Sequence, residues 1–350
     1  MSLKQIRNDF DVSHVTLQLP ECDAKMVEQP KSGASSSSRT LLLLILAVSM
    51  VSSASILIRF SESHPLVIVF WRTLYGSILM VCIGAARGDL KALRSPQIKA
   101  TWFWLAAIGI VLSLHFSTWF TSLFMTTVAA SVVLVNTSPI FTAIFSTLVL
   151  GESLRRKSWA GVLVAVGGAI FLAWNDLIST GFGALTGDAL ALLSAFFLAV
   201  YFIGGRRYAE GIPITVYTSV VYLSAAIATL PFCFSMGLDV LVFEPREVII
   251  FLALAIFPTA LGHSVNNYLL TLVPAYVVSS AVLGEPIGAT VLAAIFLGEV
   301  PAELTLIGFG VILIGIALVL ADIVSFERNK DLTLDDPNGT KSDRLGGYSD

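Results

Sequence analysis

Apolar residues occur along the chain in long blocks that are separated by short polar segments. A helix that crosses a lipid bilayer needs about 20 mainly apolar residues. Ten blocks approach this length, so the pattern predicts ten membrane-spanning helices at residues 41–60, 65–86, 101–121, 127–149, 158–175, 187–205, 214–235, 248–267, 273–297 and 303–322. Because the connections are short, we expect one all-α bundle with no globular domain between the spans.

The composition also indicates a membrane protein. Of the 350 residues, 56% are hydrophobic and 13% are charged, and the mean hydropathy is +0.84. Soluble domains carry about 25% charged residues, so an ordinary soluble domain is excluded. The three cysteines, Cys22, Cys82 and Cys233, lack the spacing of a metal site. We expect neither a metal nor a cofactor.

Two polar tails flank the apolar blocks. Residues 1–40 are rich in serine, and residues 325–350 are rich in aspartate. Neither tail has enough apolar surface to offset the entropy lost on ordering, so we predict two disordered cytoplasmic tails. A regulatory role for either tail is the alternative. The N-terminal tail has no apolar core, and we therefore expect no secretory signal peptide.

The basic residues predict the orientation in the membrane. Lys and Arg accumulate in the cytoplasmic loops of membrane proteins. With the N terminus inside, 18 of the 21 basic residues fall in cytoplasmic segments, and Arg246 is the only one in an outer loop. Arg59 and Arg72 belong to the spans. We predict that both termini are cytoplasmic and that the membrane is the plasma membrane, with an organelle membrane as the open alternative.

The chain contains an internal repeat. A shift of 147 or 148 residues aligns rare residues of the apolar blocks, namely Pro139 with Pro286, Leu150-Gly151-Glu152 with Leu297-Gly298-Glu299, Gly161 with Gly308, Gly168 with Gly315, Pro65 with Pro213 and His115 with His263. The repeats are residues 41–175 and 187–322. Each holds five spans, and five is odd, so the second repeat is predicted to be inverted. Inverted repeats are typical of alternating-access transporters, whose site lies at the repeat interface.

These residues resemble a known family. The segments NTSPIFTAIFSTLVLGE (136–152) with GVLVAVGGAIFL (161–172), and LGEPIGATVLAAIFLGE (283–299) with GFGVILIGIAL (308–318), are similar to the EamA branch of the drug/metabolite transporter superfamily. The resemblance covers about residues 41–322. It implies ten helices around a central cavity that moves small metabolites, often outward.

Two prolines lie at matching positions in the interiors of the fourth and ninth predicted spans. Pro286 in the ninth span and Pro139 in the fourth remove a backbone donor, so each is predicted to break its helix. Such a break is tolerated in a bilayer where the backbone faces protein or a wet cavity. Glu285 lies directly before Pro286, near the middle of its span, whereas Ser138 stands at the matching position. We predict that Glu285 binds a proton or a cationic group of the solute, with a structural ion pair as the alternative.

Three other ionisable residues are predicted to lie inside the membrane. Arg72 requires an anion, which is either Glu285 or an acidic group of the solute. His115 and His263 are matched by the repeat, and inverted topology places one in the outer and one in the inner half. Each is a candidate proton relay or a hydrogen-bonded structural histidine, and the two are expected to lie too far apart for a metal site.

Polar and aromatic residues near these positions complete the candidate set. The further candidates for contact with the solute are Asn136, Tyr201, Asn266, Asn267 and Tyr268. Trp119 is expected in the aromatic belt at the membrane surface. Four residues at helix ends, Gly151, Glu152, Gly298 and Glu299, are assigned structural roles, and the row Gly161, Ala165, Ala169 is predicted to allow close helix packing.

These features favour a secondary transporter, and an exporter of small metabolites such as amino acids or related amphipathic compounds. The alternative is an exchanger of phosphorylated metabolites or nucleotide sugars, which would need several deep Lys or Arg residues. A membrane enzyme or a channel is less favoured, since no catalytic or nucleotide-binding motif occurs. The expected partners are the solute, protons, the lipid bilayer and a second copy of the chain in a homodimer; nucleic acid is not expected.

Overall fold

The computed structural model describes residues 35–126, 128–152, 154–180, 185–298 and 303–334. Throughout these ranges the regular structure is helical. The helices are α1 Ser35–Val51, α2 Ala54–Phe60, α3 Pro65–Arg87, α4 Pro96–Met125, α5 Val128–Val135, α6 Ser138–Leu150, α7 Arg156–Thr180, α8 Leu185–Tyr208, α9 Ile214–Ser235, α10 Pro245–Leu254, α11 Ser264–Leu272, α12 Ala275–Val282, α13 Glu285–Leu297 and α14 Glu303–Leu334. A 3₁₀ turn, Asp89–Arg94, joins α3 to α4, and a π-helical stretch, Ala255–His263, joins α10 to α11. Residues 1–34 and 335–350 of the two tails lie outside the described ranges.

Eight helical segments in the described ranges are long and apolar enough to cross a membrane. They are Ser38–Phe60, Pro65–Arg87, Pro96–Met125, Ser131–Leu150, Leu185–Tyr208, Ile214–Ser235, Pro245–Leu272 and Ala275–Phe296. Leu306–Ala321 is a shorter apolar stretch. The chain is therefore an all-helical, multi-pass membrane protein. The fifth and tenth predicted spans fall on α7 and α14, and the count of ten stays a prediction.

Three of these segments are interrupted. The α1–α2 segment breaks at Ser52 and Ser53, α5–α6 at Asn136 and Thr137, and α12–α13 directly before Glu285. In the second and third cases a proline occupies the first turn of the new helix, where its missing N–H has no partner to lose. The breaks leave helix ends inside the bundle, where turns pair part of their backbone groups.

The twin glycines after α6 and α13 adopt the same conformation. Gly151 has φ +68° and Gly298 has φ +70°, in the left-handed region that only glycine enters at little cost. Each glycine ends its helix at the matching position of the repeat. Glu299, the residue after Gly298, lies outside the described ranges.

Close packing of small residues joins α7 to α14. A Cβ atom added at Gly161 would lie 2.8 Å from the Gly315 carbonyl oxygen, and one added at Gly315 would lie 2.4 Å from the Ala165 amide nitrogen. The two backbones therefore touch, as the row of small residues predicts, and the contact is made within one chain. Elsewhere α4 packs on α8 and α9, and α3 packs on α9.

Large buried side chains fill the bundle, and large apolar side chains cover its surface. Tyr201, Tyr217, Tyr222, Phe116, Phe120, Phe202 and Phe251 are fully buried. Trp102, Leu148, Ile295 and Phe296 are exposed by 60% or more. An exposed apolar surface of this kind suits contact with lipid tails.

Candidate functional site

A small cavity lies inside the bundle where the broken helices meet. Its lining comes from six segments of the chain and consists of Val51, Ala54, His115, Trp119, Val135, Leu198, Phe202, His263, Asn266, Val282 and Glu285. The cavity volume is about 20 Å³, which is room for about one water molecule. The structure thus has the cavity in a closed form, too small for a metabolite.

Glu285 connects two of the broken helices. Its Oε2 accepts a hydrogen bond from Asn136 Nδ2 at 3.4 Å, and Asn136 also donates to the Val132 carbonyl. The Glu285 carbonyl accepts from Ser52 Oγ at 3.3 Å, so the break between α1 and α2 reaches the same place. Glu285 is the first residue of α13, where a negative charge is favoured by the helix dipole. Three interruptions therefore converge on one buried residue, Glu285, two of them at its side chain or helix end and one at its backbone carbonyl.

Arg72 lies on α3 and is fully buried. Its Nε donates to Thr259 Oγ1 at 2.7 Å, in the π-helical stretch. Within the described residues Nη1 and Nη2 have no hydrogen-bond partner, and Arg72 forms no ion pair with Glu285. Of the two anions expected for Arg72, direct pairing with Glu285 is therefore wrong for this closed form.

The two histidines lie together, contrary to the sequence-based expectation. The ring centroids of His115 and His263 are 6.5 Å apart, and both rings line the cavity. Counting residues from the ends of a span gives a position along one helix, but it does not give the height at which two helices cross. Ser194 holds His115, since its Oγ and its carbonyl lie 2.8 and 3.0 Å from Nδ1. The Nδ1 atom of His263 has no partner among the described residues.

Trp119 is a wall of the cavity and not part of a surface belt. Its side chain is 3% exposed, and its ring stacks on His115 with centroids 6.1 Å apart. The expectation failed because α4 continues to Met125, beyond the predicted end of the third span, which leaves Trp119 well inside the helix. The indole Nε1–H has no acceptor within the described part of the chain.

The remaining candidates divide into one cavity residue and several packing residues. Asn266 lines the cavity. Asn267 instead donates from Nδ2 to the Tyr201 hydroxyl and to the His263 carbonyl, so it fastens α11 to α8. Tyr201 packs edge-on against His263 at 6.2 Å. Tyr268 is half-buried and is not part of the lining.

Several buried polar atoms in and near the cavity have no hydrogen-bond partner. In the described ranges they include Trp119 Nε1, His263 Nδ1, Asn136 Oδ1, both side-chain polar atoms of Asn266, and Nη1 and Nη2 of Arg72. Native proteins leave few buried polar groups unpaired, and each one calls for an explanation. Trp119, His263 and Asn266 line the cavity, whereas Arg72 and Asn136 lie outside its lining. Among the residues that the structure describes, no group of three or more His, Cys, Asp or Glu lies together in a way that could hold a metal.

Two polar clusters close the ends of the bundle, and sequence reasoning found only part of them. At one end, Arg206 Nε donates to Glu152 Oε1 at 2.8 Å, and Glu152 Oε2 accepts from the Ala275 amide at 3.3 Å. At the other end, buried Glu247 accepts from the hydroxyls of Ser61 and Ser63 and from the Glu62 amide. An acidic residue two positions after Pro245, at the start of an apolar helix, was the available signal for Glu247.

Interrupted helices around an internal cavity are typical of membrane carriers. Comparison with known families makes this specific. The model of the EamA-like transporter family matches residues 38–174 and residues 185–321. The chain therefore belongs to the EamA-like transporter family, and the match falls in two parts of the chain.

Individual relatives point to the same family. An "Uncharacterized transporter" of Archaeoglobus fulgidus is 29% identical over 290 residues, which is 81% of this chain and 98% of the relative. A "Probable amino-acid metabolite efflux pump" of Salmonella typhimurium is 29% identical over 185 residues, 50% of this chain and 62% of that protein. A solved crystal structure with a TM-score of 0.65 covers 80% of this chain and 96% of its own at 21% identity, and it supports the fold alone.

Proposed function

We propose that the protein is a secondary transporter that exports small metabolites, such as amino acids or related amphipathic compounds, by alternating access. The observation that carries the proposal is the set of unpartnered polar atoms around the closed cavity, together with the buried Arg72 and Glu285. Such a cavity is built to exchange water for a polar solute. The name of the Salmonella relative supports export and a solute of the amino-acid class.

The architecture we propose is ten spans in two inverted repeats, residues 41–175 and 187–322. Support comes from the two-part family match and from the matched glycines after α6 and α13. We further propose that both termini are cytoplasmic and that the protein lies in the plasma membrane, on the basis of the distribution of Lys and Arg. Single cysteines placed at Glu210 and Glu244 test the orientation, since a membrane-impermeant thiol reagent applied to whole cells should label Glu244→Cys alone.

The alternative, an exchanger of phosphorylated metabolites or nucleotide sugars, is less well supported. A phosphate group carries close to two negative charges and is usually bound by several cations. Arg72 is the single buried Arg or Lys side chain among the described residues. A channel and a membrane-embedded enzyme have no specific observation in their favour.

Transport in reconstituted vesicles tests the proposal. Purified protein is placed in vesicles loaded with one radiolabelled amino acid or amino-acid derivative at a time, and efflux is followed with and without a pH gradient. We expect saturable efflux of at least one compound, with stimulation by the gradient if protons are coupled. Folded protein that moves no compound in the panel would contradict the proposal.

A further inference from the structure

One edge of the Arg72 guanidinium group is held firmly by the protein. Nε donates to Thr259 Oγ1 at 2.7 Å, and Thr259 Oγ1 in turn donates to the Leu254 carbonyl at 2.8 Å. The helices are close here, since a Cβ atom added at Gly76 would lie 2.9 Å from the Thr259 methyl carbon. Because α3 and the π-helical stretch are packed this tightly, Nε is fixed in position.

The other edge of the same group has no protein partner. Nη1 and Nη2 carry four of the five N–H donors of arginine, and neither bonds to any residue that the structure describes. The ion pairs Arg87–Asp89, Arg206–Glu152 and Arg246–Glu62 lie elsewhere in the structure. A buried charge without a counter-ion is costly. This edge of Arg72 is therefore in direct contact with no anion among the described residues.

Aromatic rings set the plane of the group and connect it to the cavity. The guanidinium carbon of Arg72 lies 4.0 Å from the ring centroid of Phe116 and 5.4 Å from that of Phe120. Phe116 also packs edge-on against His263, at 5.2 Å between centroids, and His263 lines the cavity. Phe116 is thus the shared neighbour of Arg72 and of the cavity wall.

We propose that Nη1 and Nη2 of Arg72 form a carboxylate-binding subsite, so that the transported solute is a monocarboxylate. The inference rests on the proposed transport function and names its substrate class. A carboxylate matches the fixed fork of a guanidinium group through two parallel N–H···O bonds. Phe116 moves aside as the cavity opens, and the acid group of the solute then reaches Arg72. A single buried Arg suits the single negative charge of a carboxylate better than the double charge of a phosphate.

A binding experiment with purified protein tests the subsite without requiring transport. The melting temperature is measured against increasing concentrations of each common L-amino acid and of short fatty acids, and then of the amide of each acid that binds. The amide keeps the size and shape of the acid and removes its negative charge. We expect acids to stabilise the wild-type protein and their amides to need at least about tenfold higher concentrations, as for the loss of one charged hydrogen-bonded contact.

Substitutions at Arg72 and Thr259 separate charge from positioning. Arg72→Lys keeps the positive charge but removes the paired N–H donors of the guanidinium group. We expect this variant to bind acids about tenfold or more weakly and to bind amides as the wild type does. Thr259→Val leaves the Arg72 charge in place and removes the acceptor of Nε together with the donor to the Leu254 carbonyl, so we expect a smaller loss of affinity for the acid. If the Arg72 variants fail to fold, Thr259→Val decides by the same comparison of acid with amide.

The outcomes distinguish the subsite from the proposed function. Equal stabilisation by acid and amide, no stabilisation by any acid, or acid binding that is unchanged in the variants would overturn the subsite. Binding of acids without any flux in vesicles would contradict the transport function and leave the subsite standing. Saturable flux of an amide at the rate of its acid would overturn the subsite and leave the transport function standing.

Discussion

Asn136 Nδ2 lies 3.4 Å from Glu285 Oε2, and this contact joins the interruption of the α5–α6 segment to that of the α12–α13 segment. Asn136 and Glu285 come from different repeats of the sequence, and both are buried. The contact is long for a hydrogen bond and is therefore weak. The two interrupted segments are therefore joined by one weak polar contact.

We predict that Glu285→Gln reduces transport by about tenfold to a hundredfold, the range expected for a lost charged hydrogen bond. Glutamine retains an oxygen that can accept from Asn136, so the fold should be preserved. Efflux rates in vesicles, normalised to the amount of folded protein, measure the effect. Glu244→Gln is the matched control, since Glu244 is exposed at the start of α10. Equal efflux in both variants would remove Glu285 from the site.

The Arg206–Glu152 pair should contribute measurably to stability. The two side chains are 26% and 16% exposed, so solvent screening limits their coupling to about 1 kcal/mol. A double-mutant cycle with Arg206→Met and Glu152→Gln, read by thermal unfolding in detergent, gives this value. Arg87 and Asp89 form the control pair, because Arg87 is 69% exposed. Coupling as weak as that of the control would mean that the contact does not hold the helix ends together.

The α7–α14 contact should tolerate no added methyl group. Gly315→Ala places a Cβ atom 2.4 Å from the Ala165 amide nitrogen, and overpacking of this kind costs about 1–3 kcal/mol. Gly310 lies on the same helix with open space around its Cβ position. Gly310→Ala should therefore leave the melting temperature unchanged or raise it, since alanine favours helix. If the two variants melt alike, the backbones are not in contact.

We predict that the Glu247 side chain contributes to the stability of the folded protein. Glu247→Ala leaves three donors, the hydroxyls of Ser61 and Ser63 and the Glu62 amide, without their acceptor. Unsatisfied buried donors cost about 1–3 kcal/mol each, less where water can enter. Thermal unfolding should show a clear loss relative to Glu244→Ala, whose side chain is exposed. A loss no larger than that of Glu244→Ala would mean that the cluster does not hold the segment between α2 and α3.

The sequence by itself determined the class and the family of the protein. Blocks of about 20 apolar residues match the length of a helix that crosses a bilayer, and a helix pairs its backbone groups within the segment. The alignment of prolines and glycines revealed the internal repeat. In the structure, Pro139 and Pro286 lie in the first turns of new helices. These are local properties, since they depend on the bonding and conformation of a few consecutive residues.

Only the tertiary structure decided which polar residues meet. Trp119 and the two histidines line one cavity, Asn267 serves packing, and Ser194, Thr259 and Glu247 entered as partners that no motif had marked. Helical periodicity gives the face and depth of a residue on one helix, but not the tilt and height at which two helices cross. Side-chain packing between helices sets these quantities, and they placed Arg72 beside Thr259 and Phe116 rather than against Glu285.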